Sequence, residues 1–149
     1  MTTSNSIVMN APMESVFEAA ADLSRWPEFL PHYRSVTYLE KSPSGNIVRM
    51  AAKRSWIPVA WTSEQVIDRE NREVRFHHLK SFTKGMDVVW TFEAHQGSIR
   101  VRIRHDLKPT VPVIGTFVAN AVIGRFFIHH IAGQTLEHMK RYVEGAHGN

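Results

Sequence analysis

The chain contains no cysteine. That excludes a disulfide framework and thiolate chemistry, and it permits a reducing cytoplasm. Long apolar runs are also missing. The longest, Val111–Gly124, is closed by Arg125 after fourteen residues, short of the roughly 20 needed to cross a bilayer. No integral membrane segment is therefore expected, and the run reads as buried or cavity-lining. Met1–Ser6 has no basic stretch leading into an apolar one, so no secretory leader is expected and the expected localisation is cytoplasmic. There is no linker, repeat or low-complexity segment, and residues 1–149 read as a single domain. Neither sign of charge dominates: 18 Lys and Arg stand against 14 Asp and Glu, a net charge of +4. Arg100, Arg102 and Arg104 form an alternating row, with Glu64, Asp87 and Glu93 at matching outward parity on neighbouring strand candidates. This is the pattern of a solvated, charge-paired sheet face. Clustered basic residues interleaved with aromatics are not found, so no nucleic acid is expected as a partner.

A composition of 43% hydrophobic and 21% charged residues is enough to build a core. Asn5–Asn10 is a strand candidate, and Asn10 has the position of a helix N-cap ahead of Pro12 and Glu14. Val16, Phe17, Ala20 and Leu23 then recur at helical spacing, predicting a helix over 11–24 that Trp26-Pro27 interrupts. One more short turn fits before Pro31. From Arg34 to Lys108 the period becomes two. Strands are expected near 34–41, 46–55, 58–68, 72–80, 84–94 and 98–108, with turn residues between them. Consecutive strands with tight turns make an antiparallel meander. Pro109 and Pro112 end it. The rest is helical to about Glu144, with Ile128, Ile131, Ala132, Thr135, Leu136, Met139 and Val143 on one stripe. One unbroken helix here would run roughly 45–50 Å, wider than a domain of this size, so a break is expected near Gly115 or Gly124.

Residues 61–68, WTSEQVID, are the most informative stretch. Trp61, Ser63, Gln65 and Ile67 share one face of a strand. An aromatic, a hydroxyl and an amide projecting together suit a cavity that grips a small organic molecule. A solvent-facing strand with one stray Trp is the other reading of the segment alone. His105 has inward parity beside apolar neighbours and is a candidate acid or base; a satisfied core histidine is the plainer alternative. The adjacent pairs His77-His78 and His129-His130 point in different directions and form no ligand-spaced cluster, so no metal is expected.

The sequence order is strand, two short helices, six strands and one long helix. In that order Asp22–Pro31, Trp61–Asp68, Met86–Phe92, His105–Leu107 and Phe127–Leu136 resemble the helical plug, pocket strand, last two strands and grip helix of the START and Bet v 1-like superfamily. Within it, the chain is most similar to the polyketide cyclase/dehydrase, or aromatase/cyclase, branch. The resemblance implies an α+β helix-grip fold: a curved antiparallel sheet of about seven strands wrapped around a long C-terminal helix, with two short helices after the first strand. It also implies a deep pocket for a hydrophobic or polyketide-like small molecule, with no metal and no cofactor. The chemistry of the cyclases is aldol condensation and dehydration of a poly-β-ketone, which needs a base near an acidic CH₂ and donors for the developing enolate oxygen.

The cyclase pocket strand typically reads Trp-x-Ser-x-Arg. Trp61 and Ser63 match it, and Trp26 and Tyr33 match an aromatic pair in the same pocket. Gln65 stands where the cyclases carry Arg. An amide brings neither the permanent charge nor the fork of donors, though it still hydrogen-bonds a carbonyl. Arg54 shares parity with Val48, Met50 and Ala52 and is the candidate replacement charge. The expected catalytic set is thus Arg54, Ser63, Gln65 and His105. The expected ligand contacts are Trp26, Tyr33, Trp61, Ser63, Gln65, Met86, Val88, Trp90 and Ile128. The function expected is hydrophobic ligand binding with cyclase, aromatase or dehydratase activity. The alternatives are a non-enzymatic lipid or isoprenoid-quinone carrier like the coenzyme-Q-binding START domains, or a protein-interaction module. A weak homodimer is a further expected partner state.

Overall fold

The computed structural model describes residues 2–54, 57–80, 83–106 and 114–147, with the side chains of 54, 57, 114–127 and 146–147 outside that description. The elements are β1 (Thr2–Met9), α1 (Met13–Ala21), a 3-10 turn (Leu23–Arg25), α2 (Trp26–Phe29), β2 (Tyr33–Ser42), β3 (Gly45–Arg54), β4 (Ile57–Asp68), β5 (Glu73–His78), β6 (Asp87–His95), β7 (Ser98–Asp106) and α3 (Ile114–His147). The strands form one antiparallel sheet in the order β1-β7-β6-β5-β4-β3-β2. Every consecutive pair from β2 to β7 is a hairpin neighbour, and β1 closes onto β7. The plug helices occupy the long connection between β1 and β2.

Alternation places the faces as expected. On β6 and β7, Val88, Trp90, Phe92, Val101 and Ile103 are buried, whereas Arg102 and Arg104 are exposed. Arg100 pairs with Glu93 at 3.8 Å on the outer face. Asp87 instead meets His77, with 2.7 Å between Nδ1 and Oδ1. The β5–β6 connection is longer than the alternation implies. Between β5 and β6 the His78 carbonyl accepts from Gly85 N–H (2.9 Å) and the Thr83 carbonyl from Met86 N–H (2.9 Å). Gly85 sits at φ +87, a left-handed conformation that costs glycine least.

Three local expectations change. Asn10 does not cap α1; the N-cap is Pro12, with no side-chain cap bond. Asn10 is used elsewhere: its N–H donates to Glu144 Oε2 at 2.9 Å, and its side chain accepts from the Ser98 hydroxyl. The first helix also ends earlier than residue 24. Asp22 is extended (φ -89, ψ 92), and its carboxylate accepts from Ser24 N–H at 3.2 Å, starting the tighter turn. Trp26 and Pro27 begin α2 rather than interrupting a helix, since Pro is tolerated in a first turn. Finally, α3 is continuous over 34 residues, without a break at Gly115 or Gly124. A lone glycine costs only about 1 kcal/mol and removes no backbone donor, and domain width does not bound an element lying along the sheet.

The stripe on α3 is buried as its spacing predicts: Ile128, Ile131, Ala132, Thr135, Leu136, Met139 and Val143 are all inside. Polar contacts fix the helix to β1. Lys140 Nζ donates to the Val8 carbonyl at 2.8 Å and pairs with Glu144 at 2.5 Å. Asn5 Nδ2 donates to the His129 carbonyl at 3.3 Å. Leu136→Ala should cost about 2–5 kcal/mol in urea unfolding, the range for a buried Leu; a loss under about 1 kcal/mol would show that this face does not carry the core.

Candidate ligand cavity

A cavity of about 80 Å³ lies between the inner face of the sheet and α3. The sheet contributes Met50 from β3, Val59 and Trp61 from β4, Phe76 and His78 from β5, Val88 and Trp90 from β6, and Ile103 and His105 from β7. Register explains the grouping. Met50 is opposite Trp61, and Phe76, Val88 and His105 are successive partners across three strands. Helix α3 supplies Ile128, Ile131, Ala132 and Thr135; Trp26 and Tyr33 line the plug side, and Thr83 and Met86 the β5–β6 connection.

The aromatic rings form a continuous train. Trp26 lies 5.1 Å from Tyr33 and 5.7 Å from Trp90, ring centre to ring centre. Tyr33 meets Trp61 edge-on at 5.9 Å, and Trp61 is parallel to His78 at 6.0 Å, with 12° between planes. Trp26 is pinned by its indole N–H, which donates to the Ala19 carbonyl at 2.9 Å. Such rings supply large, stiff apolar walls.

Of the expected ligand contacts, Trp26, Tyr33, Trp61, Met86, Val88, Trp90 and Ile128 come together around this space, and His105 joins them. Ser63 and Gln65 do not line it. Both are on the inward face and fully buried, but parity sets the face of a strand and not the depth along it. Gln65 lies where α1 ends: its Nε2 donates to the Ala21 carbonyl at 3.0 Å, and its Oε1 accepts from Asn46 Nδ2 at 3.0 Å. The amide joins β4 to the plug and to β3. Ser63 lies between Val48 and His78 in the ladder, and its hydroxyl has no hydrogen-bond partner. The expectation for Arg54 falls on a side chain outside the described residues; its backbone ends β3 opposite Ile57.

The polar residues that line the cavity besides His105 were missed from the sequence. His78 was readable, because it shares inward parity with the buried Val74 and Phe76. Thr135 was on the buried stripe but read as packing. Nothing in the sequence marks Thr83, which lies in the connection between β5 and β6.

Three imidazoles are held neutral in this interior. Burial is the main cause for each. His78 is pushed down to about 3 from the ordinary 6.5, with the nearby His105 and His77 adding to the effect and Asp87 opposing it. Burial and the facing His129 lower His105 to about 4. His32, whose Nε2 is 2.9 Å from Thr135 Oγ1, is lowered to about 4 by burial and by His138 and His130. Burial also raises the Tyr33 phenol, partly offset by the Thr135 hydroxyl. Among the described residues, no group of three or more His, Asp or Glu could hold a metal ion, and no helix is long and apolar enough to cross a membrane.

A sheet of seven antiparallel strands gripping a long C-terminal helix, plugged by short helices after β1, defines the helix-grip class of START and Bet v 1-like domains. The chain belongs to the polyketide cyclase/dehydrase and lipid transport family, whose model matches residues 9–139. It is 29% identical over 119 residues to a proposed polyketide cyclase of Streptomyces cyaneus, covering 74% of this chain and 76% of that protein. A second proposed polyketide cyclase, from Streptomyces halstedii, is 31% identical over 108 residues, covering 67% of this chain and 94% of the relative. The crystal structure of TTHA0849 from Thermus thermophilus superposes with a TM-score of 0.82 at 20% identity, covering 98% and 99% of the two chains. The Zhui aromatase/cyclase from Streptomyces sp. R1128 superposes at 0.69 with 16% identity, covering 95% of each. At these identities the superpositions speak for the fold.

The neutral histidines carry a pH dependence. Unfolded, each takes up a proton near 6.5; folded, each resists protonation until about pH 4, and His78 until about 3. Between those values the unfolded chain binds more protons, so stability rises with pH and is lost on acidification. The urea midpoint should therefore fall as pH drops from 7 to about 4.5, and less steeply in His32→Gln. A midpoint that stays flat over this range would contradict neutral burial of the three rings.

Proposed function

We propose that this protein encloses a hydrophobic, polyketide-like small molecule in the cavity between the sheet and α3, and that the chemistry it supports is of the cyclase, aromatase or dehydratase type. The observation that carries the reading is the cavity itself: aromatic walls from Trp26, Tyr33, Trp61, Phe76 and Trp90, with a few hydrogen-bonding groups set among them. That is the composition of a small-molecule site. Family membership supports the reaction class. His105 is the candidate base: its ring lines the cavity, is neutral at physiological pH, and has a buried Nδ1 without a partner.

A non-enzymatic carrier is the second reading, and one observation favours it. Gln65, at the position where the cyclases carry Arg, is tied to Ala21 and Asn46 away from the cavity, so it brings no charge to an enolate. An interaction module draws less support. Leu39 and Tyr142 are the exposed large hydrophobics among the described residues, and Tyr142 is stacked on Phe29 at 4.1 Å.

Native mass spectrometry of freshly purified protein, followed by turnover of a poly-β-ketone, tests both readings. A cyclase should shift the product distribution away from that of the uncatalysed mixture. His105→Ala should then lower the rate by roughly 10²–10⁴-fold, the usual contribution of a general base, while ligand binding persists. A bound molecule with an unaltered product distribution would favour the carrier. No bound molecule and no altered products would end the cavity reading.

A further inference from the structure

The polar chemistry of this cavity is concentrated on β5 and β7 rather than on β4. His78 Nδ1 is 2.8 Å from the Thr83 hydroxyl, and its ring lies parallel to the Trp61 indole. Those two contacts hold the imidazole in place and leave Nε2, at the far edge of the ring, as the nitrogen not engaged by Thr83. On β7, His105 lines the same cavity with its Nδ1 buried and without a partner among the described residues. A buried nitrogen of this kind is costly unless a ligand atom or water satisfies it. None of the described side chains lining the cavity is an acid, a lysine or an arginine, and the buried imidazoles resist protonation. Against these described side chains an anion would lose its hydration with no opposite charge in return, a far larger cost than burying a neutral hydroxyl or carbonyl that is hydrogen-bonded.

Building on the proposed ligand cavity, we propose that His78, positioned by Thr83, is the specificity-determining polar group of the site, and that with His105 it selects an uncharged aromatic ligand bearing a hydroxyl, enol or carbonyl. A hydroxyl or enol both donates and accepts, which matches two neutral imidazoles whatever tautomer each adopts. A carboxylate of the same shape is rejected. Thr83 acts through His78 and is a positioning residue.

Three probes of one shape test this: alpha-naphthol, naphthalene and alpha-naphthoate, titrated calorimetrically at neutral pH. Wild type should bind the naphthol about tenfold more tightly than naphthalene, the scale of one well-made hydrogen bond, and the naphthoate at least about tenfold more weakly than the naphthol. His78→Phe keeps a ring beside Trp61, so it should bring the naphthol-to-naphthalene preference close to one while naphthalene binding persists. Thr83→Val, which removes only the hydroxyl that orients His78, should reduce the same ratio part of the way. It provides the test if the Phe variant fails to fold. A merely structural role would weaken all three probes together and leave the ratio unchanged. Wild-type preference retained in both variants, or equal binding of naphthol and naphthoate by wild type, would overturn the inference while the cavity reading stands. Binding of neither naphthol nor naphthalene by wild type would overturn both.

Discussion

The structure depends on the fit between one unbroken helix and one curved sheet. Seven strands curve around α3, and its stripe from Ile128 to Val143 seats against them. Burying those side chains supplies much of the hydrophobic stabilisation available to a chain of this size. A helix touches a sheet only where the side chains of both are long enough to meet. Where α3 presents Ala132 and Thr135, both small, the sheet presents Trp61, Trp90 and Phe76, all flat and wide. Small residues on the helix leave room in front of those rings, and the cavity lies between them. The plug closes one side of it, with Trp26 and Tyr33 completing the ring train.

A polar group inside such a core must be neutral or paired. Each one here meets that condition differently. Gln65 is an amide with both ends engaged. Thr135 is bound on both sides, donating to the Ile131 carbonyl at 2.8 Å and meeting His32 at 2.9 Å. If that hydroxyl proton is given to Ile131, His32 Nε2 must be the donor, which leaves its buried Nδ1 as an acceptor without a partner. Ser63 Oγ, His105 Nδ1 and Thr3 Oγ1 are likewise unpartnered, and Thr3 is opposite His105 in the ladder. Unsatisfied groups of this kind cost about 1–3 kcal/mol each. Native cores tolerate few of them, and His105 places one at the cavity wall.

Period and order made the fold legible from the sequence. Alternation over β6 and β7 is readable because Val88, Trp90, Phe92, Ile99, Val101 and Ile103 are buried while Arg102 and Arg104 are exposed. The α3 stripe is clean because the helix is buried on one side only. What was not legible depends on contacts between segments far apart in sequence. Asn10 looked like a helix cap because capping is a local property, yet its partners are Glu144 and Ser98. Gln65 and Ser63 looked like ligand contacts because parity assigns a face, whereas the plug decides which part of that face is open. Thr83 could not be placed at all, since it falls between the expected strands 72–80 and 84–94 and meets His78 only through the connection that joins β5 to β6.

The substitution on β4 has consequences beyond the missing charge. In the cyclase branch that this chain resembles, the same strand carries an arginine. A guanidinium keeps its charge at any physiological pH and presses for a counter-charge or water nearby. With Gln65 there instead, the strand end can be sealed: the amide satisfies the Ala21 carbonyl and Asn46, and α1 packs over it without a buried ion. Burial, the main cause, holds His78 and His105 in their neutral forms. On the proposed reading, polar recognition then rests on neutral donors and acceptors on β5 and β7. On that account the ligand that fits is decided less by electrostatic attraction than by shape against the aromatic train and by the placement of one or two oxygen atoms.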